Sequence, residues 1–156
     1  DFYSGGGLDI AFLGFGEIDA VGNVNVSKLG GNTVGPGGFI DIAQNARKVV
    51  FCGTFDTGGA RTEVGSGVMR VTEHGRISKL VDKVDQITFS GPQSLLQGQK
   101  VIYITERAVF ELRENGLHII EIAPGIDLQT DLLDRMGFVP NMNSPLSEMD
   151  SNFFKK

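Results

Sequence analysis

The sequence predicts an α/β fold, an open mixed sheet carrying β-hairpins and flanked by helices, on three observations. Short apolar runs alternate with a segment of helical spacing. The 22 glycines fall between those runs, as turn punctuation does, and not in a linker-like stretch. Val49-Val50-Phe51-Cys52 is continuously apolar, the pattern of a strand buried on both faces.

Taken in order, Ile10 to Phe15 is a strand-length apolar run, and alternation resumes over Val24 to Val26 after Asp19-Ala20-Val21-Gly22-Asn23, which reads as a hairpin. Gly35-Pro36-Gly37-Gly38 then opens a helix, because Phe39, Ile42, Ala43 and Ala46 share one helical face. Lys48 leads into the buried strand. A second hairpin spans Val68 to Val81 around Thr72-Glu73-His74-Gly75-Arg76, and a third joins Val101 to Leu112 with Leu117 to Ile122 around Glu114-Asn115-Gly116. Asp127 caps a helix with the apolar stripe Leu128, Leu132, Leu133 and Met136, stopped by Gly137 with Pro140 beyond. Residues 1–140 therefore make one domain. Residues 141–156 lack periodicity and read as a flexible or partner-packed tail. The hairpins differ in spacing and loops, so no internal repeat is read.

At 156 residues the chain can bury a core of its own, and 40% hydrophobic with 21% charged residues is the composition of a globular protein. No apolar run approaches the roughly 20 residues of a membrane helix, so no membrane span is expected. A net charge of −5, with acidic residues scattered, argues against nucleic acid as a partner. The lone Cys52 has no internal disulfide partner and no secretory signal is recognisable, which favours a reducing, cytoplasmic setting. A chain that opens at Asp1 without a methionine reads as a piece from which something upstream has been removed.

Several motifs have a plain structural reading. Gly14-Phe15-Gly16 follows a strand as a dinucleotide-binding turn does, but that turn needs a helix directly after it, and Val21 to Val26 reads as a hairpin return. Ser66 between Gly65 and Gly67 lacks the glycine spacing of a nucleophile elbow. His74, in a turn, and His118, in a strand, have no metal-ligand spacing to any other residue and read as surface or partly packed side chains, so no metal site is expected. Cys52 reads as a small core residue. Gly35-Pro36-Gly37-Gly38-Phe39 is more informative. Glycines at a helix entrance leave backbone N–H groups bare, and missing side chains let a carbonyl approach them. From the residues alone, a tight turn and an anion or oxyanion site are both open.

This pentapeptide resembles the GxGGF motif of the class I coenzyme A transferases. Gly5-Gly6-Gly7-Leu8-Asp9, Phe12-Leu13-Gly14, Gly22-Asn23-Val24-Asn25-Val26-Ser27, Lys48-Val49-Val50-Phe51-Cys52-Gly53-Thr54-Phe55, Thr105-Glu106-Arg107-Ala108-Val109-Phe110 and Glu121-Ile122-Ala123-Pro124-Gly125-Ile126-Asp127 are similar to the acetate and propionate branch of that family. The resemblance runs from Asp1 to about Pro140, in the order of the family's C-terminal, β-type half. It implies an open α/β fold shared with sugar-phosphate isomerases and an enzyme moving CoA between short-chain acids such as acetate and propionate. No cofactor is held permanently, and the coenzyme A thioester is a substrate. Gly37 and Gly38 would form the oxyanion hole, with Gly35 and Phe39 touching substrate or CoA. The partners implied are the N-terminal half of the same enzyme and further copies in a homo-oligomer. The family's nucleophile is a glutamate in an ExG motif upstream of the segment at Asp1, so this chain alone is expected to be inactive. Glu63-Val64-Gly65 has those letters but follows GxGGF, in what reads as a glycine-rich loop, and counts as a chance match. Glu106 matches a family position but reads as a structural ion pair.

Two other functional classes follow from the same residues. A chain of this fold can serve as a non-catalytic assembly or binding module. A sugar-phosphate isomerase would use the glycine turn for phosphate, but Asp41 is the only carboxylate near it. An NAD-dependent enzyme is disfavoured by the missing helix after Gly16.

Overall fold

A computed structural model describes residues 8–26, 43 and 45–155, with the side chains of 8 and 143–145 left aside. Twelve strands are described: β1 (Leu8–Gly14), β2 (Glu17–Ile18), β3 (Val24–Asn25), β4 (Ala46–Cys52), β5 (Asp56–Thr57), β6 (Arg61–Gly65), β7 (Val68–Glu73), β8 (Ile77–Ser78), β9 (Lys100–Ile104), β10 (Ala108–Arg113), β11 (Gly116–Ile122) and β12 (Asn141–Glu148). Six of them form one open sheet in the order β1-β4-β9-β10-β11-β12. The pairs β1–β4, β4–β9 and β11–β12 are parallel, and β9–β10 and β10–β11 antiparallel, so the sheet is mixed as expected.

β4 lies between two parallel neighbours, and Val49, Val50 and Phe51 are all buried, which is why this run carries no polar alternation. The sheet's core face bears Ala11, Val49, Phe51, Val101, Tyr103, Phe110 and Leu117. Phe51 stacks on Tyr103 with ring centroids 5.4 Å apart and meets Phe89 edge-on at 5.0 Å. The Tyr103 hydroxyl, fully buried, donates to the Gly22 carbonyl at 2.7 Å and so ties the sheet to the loop after β2. The helix Gly91–Leu96, capped by Ser90 Oγ accepting from the Gln93 amide, sits over this region.

Strand partners differ from the expected hairpins at three places. Val24 returns not against Ile10 to Phe15 but against Glu17–Ile18, because Asp19 Oδ1 accepts from the amides of Val21 and Asn23 and closes a turn too tight to reach back further. β1 is thereby left free to pair with β4. The expected hairpin over Val68 to Val81 is replaced by a nested arm: β6 pairs with β7, and β5 with β8. The turn that makes this arm is Ser66-Gly67, both at positive φ (57° and 79°), the geometry that suits a two-residue hairpin. Glu63-Val64-Gly65 thus lies in a strand, not a loop. The run Val101 to Leu112 is two antiparallel strands, split where Thr105 Oγ1 accepts from the amides of Arg107 and Ala108. The β10–β11 hairpin turns at Glu114 and Asn115 as expected.

Ala46, expected on a helix, is the first residue of β4; Ala43 and Asn45 are helical, and Phe39 and Ile42 lie outside the described residues. Asp127 does cap, its Oδ1 accepting from the Thr130 amide at 2.8 Å. The helix that follows is not regular: a wide π-type turn over Leu128–Leu132 gives way to a 3₁₀ turn over Leu133–Arg135. The Asp131 carbonyl, which a regular helix would use internally, accepts instead from the Arg107 guanidinium at 2.9 Å. Asn141–Glu148, in the stretch where periodicity marks no element, adds β12 beside β11 with a register break between Ile119 and Glu121, and Phe154 beyond it is buried. Among the described residues no helix is long and apolar enough to cross a membrane.

Candidate active site at the carboxyl ends of the parallel strands

In an open sheet with parallel strands, ligands bind outside the carboxyl ends of those strands, where loops diverge and backbone groups are available. Here the loops after β1, β4 and β9 meet. The Gly53 amide donates to the Ile104 carbonyl at 3.1 Å, and the Phe55 amide donates to Glu106 Oε1 at 2.7 Å. The Gly16 amide donates to the Asn25 carbonyl at 2.9 Å, so the residues after Gly16 run into a strand pair. No helix begins there, in agreement with the reading against a dinucleotide turn.

Beneath these loops lies Arg107, fully buried. A buried guanidinium needs its donors satisfied, and five acceptor atoms on four residues do this. Nη2 donates to both Asp56 carboxylate oxygens at 3.2 and 3.1 Å, and Nε to Glu106 Oε2 at 3.1 Å. Nη1 donates to the Asp131 carbonyl and to His74 Nδ1 at 3.1 Å, and the guanidinium carbon stands 4.6 Å from the Phe55 ring centroid. Asp56 Oδ2 also accepts from the Gly75 amide at 2.9 Å. The ion pair expected of Glu106 is therefore present. His74, expected at the surface or partly packed, is held between Arg107 and Asp131, whose Oδ1 lies 3.4 Å from its Nε2. Burial, then the cations of Arg135 and Arg107, push the His74 pKa down from its ordinary value, against the opposing pull of Asp131 and Asp56.

The loops after β1 and β4 also wall a cleft of about 590 Å³, whose lining includes Phe15, Glu17, Thr54, Lys79, Lys83 and Asp85. The Glu17 carboxylate accepts from Asn25 Nδ2 at 3.0 Å and from the Asp85 amide at 2.8 Å, so it shapes the wall and is committed. Lys79 Nζ lies 4.3 Å from the Phe15 ring centroid and donates to Thr54 Oγ1 at 3.4 Å. Its pKa is lowered, by burial first, with Glu106 and Asp56 opposing. The cleft thus presents a fixed ammonium and a hydroxyl over an apolar ring.

Gly35, Gly37, Gly38 and Phe39, the residues expected to form the oxyanion and substrate contacts, lie outside the described residues, as does Asp41. Nearest to them in the chain, Ala43 is buried, and its carbonyl accepts from Gln99 Nε2, which also donates to the Ala46 carbonyl at 2.8 Å. Cys52 corrects its sequence reading: as the last residue of β4 it is exposed, not packed in the core, because its position in the pleat faces away from Phe51. Partial burial still raises its thiol pKa, which disfavours the thiolate. His118 lies in β11 as expected, with its Nδ1 buried and unpartnered among the described residues. Among those residues no group of three His, Cys, Asp or Glu side chains is placed to hold a metal ion. Lys79 and Asp56 carry no signal in the sequence, and Arg107 stands there only within the run Thr105 to Phe110 that carries the family resemblance.

No known family model matches the sequence. The acetate CoA-transferase YdiF of Escherichia coli O157:H7 is 50% identical over 154 residues, covering 99% of this chain and 29% of its own. The caffeate CoA-transferase of Acetobacterium woodii is 47% identical over 161 residues, covering 100% of this chain and 30% of its own. The chain thus spans roughly three-tenths of the length of these relatives. Among solved structures, the acyl-CoA transferase YdiF in a thioester complex with CoA superposes with a TM-score of 0.92 over 99% of this chain and 30% of that one, at 50% identity. Glutaconate coenzyme A-transferase from Acidaminococcus fermentans, at 19% identity and a TM-score of 0.61, shares the fold. Over nearly all of its length, this chain is a homologue of one segment of the CoA-transferases.

Proposed function

We propose that the chain is the C-terminal, β-type portion of an acyl-CoA:carboxylate CoA-transferase that moves CoA between short-chain acids such as acetate and propionate. The observation that carries this is the 50% identity and TM-score of 0.92 along 99% of the chain with YdiF, a structure solved as a thioester complex with CoA. In the reaction the resemblance implies, a glutamate upstream of this segment attacks the acyl-CoA carbonyl. The C–S bond breaks, CoA leaves as thiolate, and an acyl-glutamyl anhydride forms. The thiolate then attacks the glutamyl carbonyl, releases the acid as carboxylate and leaves a glutamyl-CoA thioester. An acceptor carboxylate runs the two steps in reverse.

Each attack places negative charge on a carbonyl oxygen, so an N–H aimed at that oxygen stabilises transition states above ground states. The Gly38 amide is the donor assigned to this segment; Gly37 keeps the approach open, and Gly35 and Phe39 contact the substrate. The enzyme is cytoplasmic, works as a homo-oligomer with the N-terminal half of its own polypeptide completing the site, and uses the coenzyme A thioester as substrate with no resident cofactor. Neither an assembly module nor a sugar-phosphate isomerase is favoured by any observation.

The test is a transferase assay on the full-length polypeptide with acetyl-CoA and propionate, beside the isolated chain and full-length Gly38→Ala. Wild type should exchange CoA and the isolated chain should not. Gly38→Ala should lose about 10² to 10³ in kcat, the usual cost of one oxyanion donor, with KM for acetyl-CoA nearly unchanged. Turnover by the isolated chain, or a folded Gly38→Ala enzyme with full kcat, would remove the assignment.

A further inference from the structure

Lys79 is the feature of the cleft that the reading above leaves without a task. Its backbone is pinned on both sides: the Ile18 amide donates to the Lys79 carbonyl and the Val81 amide to the Ile18 carbonyl, each at 2.8 Å, while Leu80 between them is fully buried. The side chain therefore leaves a fixed root and crosses the face of Phe15, itself fully buried, to reach Thr54 Oγ1. Some cations are paired, as Arg47 is with Asp9, Arg61 with Glu73 and Lys100 with Glu111. Lys79 makes no ion pair among the described residues.

The carboxylates nearest to it are already engaged. Glu106 and Asp56 are bonded to Arg107, and Glu17 to Asn25 and the Asp85 amide. An ammonium drawn part-way out of water without a counter-ion is unfavourable unless something anionic occupies the space before it. That space is the cleft of about 590 Å³, large enough for part of a cofactor-sized ligand, whose lining carries Lys83 as a second cation together with the Glu17 and Asp85 carboxylates.

We propose that Lys79, with the Thr54 hydroxyl beside it, binds an anionic oxygen group of the substrate: a phosphate of CoA or the carboxylate of the acid. The proposal rests on the CoA-transferase reading for the identity of the ligand and on the cleft for its place. Both substrates of such an enzyme are anions. The role is one of binding and positioning, since Lys79 stands at the wall and moves no proton in the reaction.

The experiment measures the rate of reductive methylation at each lysine of the full-length protein by mass spectrometry, with Lys155 as the internal control. Arms contain CoA, 3′-dephospho-CoA, pantetheine, acetate or no ligand. Lys79 should be slowed about tenfold by CoA or by acetate, and not by uncharged pantetheine. A loss of protection with 3′-dephospho-CoA assigns the 3′-phosphate, retention with it assigns the pyrophosphate, and protection by acetate assigns the carboxylate. Lys79→Met should raise KM for the matching substrate, acetyl-CoA where CoA protects or the acid where acetate protects, about tenfold with kcat within about twofold, and Lys79→Arg should recover most of that loss. Equal methylation in every arm, or protection by pantetheine as strong as by CoA, would overturn the proposal. The two readings fail separately: wild-type CoA transfer with Lys79 unprotected sinks this site alone. Lys79 protected by CoA in a protein that transfers no CoA sinks the activity and leaves the site.

Discussion

At the scale of single residues, the position with most at stake is Arg107, because a fully buried guanidinium is stable only while its partners stay in place. Replacing it by Met would leave the Asp56 carboxylate, 5% exposed, without its bidentate partner and release the Asp131 carbonyl. We predict that Arg107→Met lowers stability by about 3 to 5 kcal/mol, the range for breaking one side of a buried pair. Asp56→Asn in the same chain should return part of that loss, since the orphaned charge is then gone. Urea denaturation of the two variants checks this; an unchanged midpoint for Arg107→Met would show that the pairing contributes nothing net.

His74 adds a pH dependence to the same cluster. The Arg107 Nη1 group is always a donor, so the His74 Nδ1 facing it accepts, and the ring proton sits on Nε2 toward Asp131. Protonating Nδ1 would set two donors against each other. The folded pKa accordingly lies below the ordinary value of 6.5, mainly through burial. Because the unfolded chain takes up this proton first, the contribution is complete above about pH 6.5 and is lost as pH falls below it. We predict a thermal midpoint that drops between pH 7 and pH 5, with a shallower slope in His74→Gln. Parallel slopes for the two proteins would assign the acid sensitivity to other groups.

At the scale of elements, the helix Gly91–Leu96 shows how tightly the pieces are set. The Gly91 amide donates to Asn23 Oδ1 at 3.0 Å, and a Cβ on Gly91 would overlap the Val21 carbonyl oxygen and come within 2.9 Å of the Gly22 carbonyl carbon. Backbone cannot yield as a flexible side chain does, so Gly91→Ala should cost about 1 to 3 kcal/mol as overpacking, read from chemical denaturation. A neutral substitution would mean that the helix can slide from the Asp19–Asn23 turn.

Elements whose evidence is local were legible in the sequence, and those fixed by distant partners were not. Val49 to Cys52 declares a doubly buried strand, and Glu114-Asn115-Gly116 declares its hairpin, because pattern and turn lie within a few residues of each other. The arm β5 to β8 is not legible because Thr72 to Arg76 offers polar turn residues as plausible as Ser66-Gly67, and only the positive φ of the latter pair decides. The break in the helix after Asp127 depends on Arg107, 24 residues away in sequence, taking the Asp131 carbonyl. In the site, the glycine turn is visible as a motif. The Arg107 cluster draws Asp56 and His74 from 51 and 33 residues away, and no periodicity carries that information.

At the scale of the whole molecule, the two faces of the sheet are unequal. One bears the core, and the other leaves Phe12 70% and Ile10 44% exposed on β1, with Ile104 37% exposed on β9. The register sets Phe12 beside Val50 and Val50 beside Ile102, both of which are buried, so the exposed apolar surface of this face centres on Ile10 and Phe12 of β1. Two neighbouring large apolar side chains exposed on one strand favour association, and among the described residues β1 is the end strand of the sheet. We predict that the isolated chain self-associates through this face. Its weight-average mass by light scattering should rise with concentration, while Phe12→Lys, which places a charge in the middle of the patch without touching the core, should bring it toward the monomer. Burial of Phe12 by the rest of the full-length polypeptide gives the second arm: there Phe12→Lys should destabilise the fold, whereas in the isolated chain it should not. A wild-type chain that stays monomeric at every concentration, or a Phe12→Lys chain that associates as strongly, would show that this face is not what holds the molecules together.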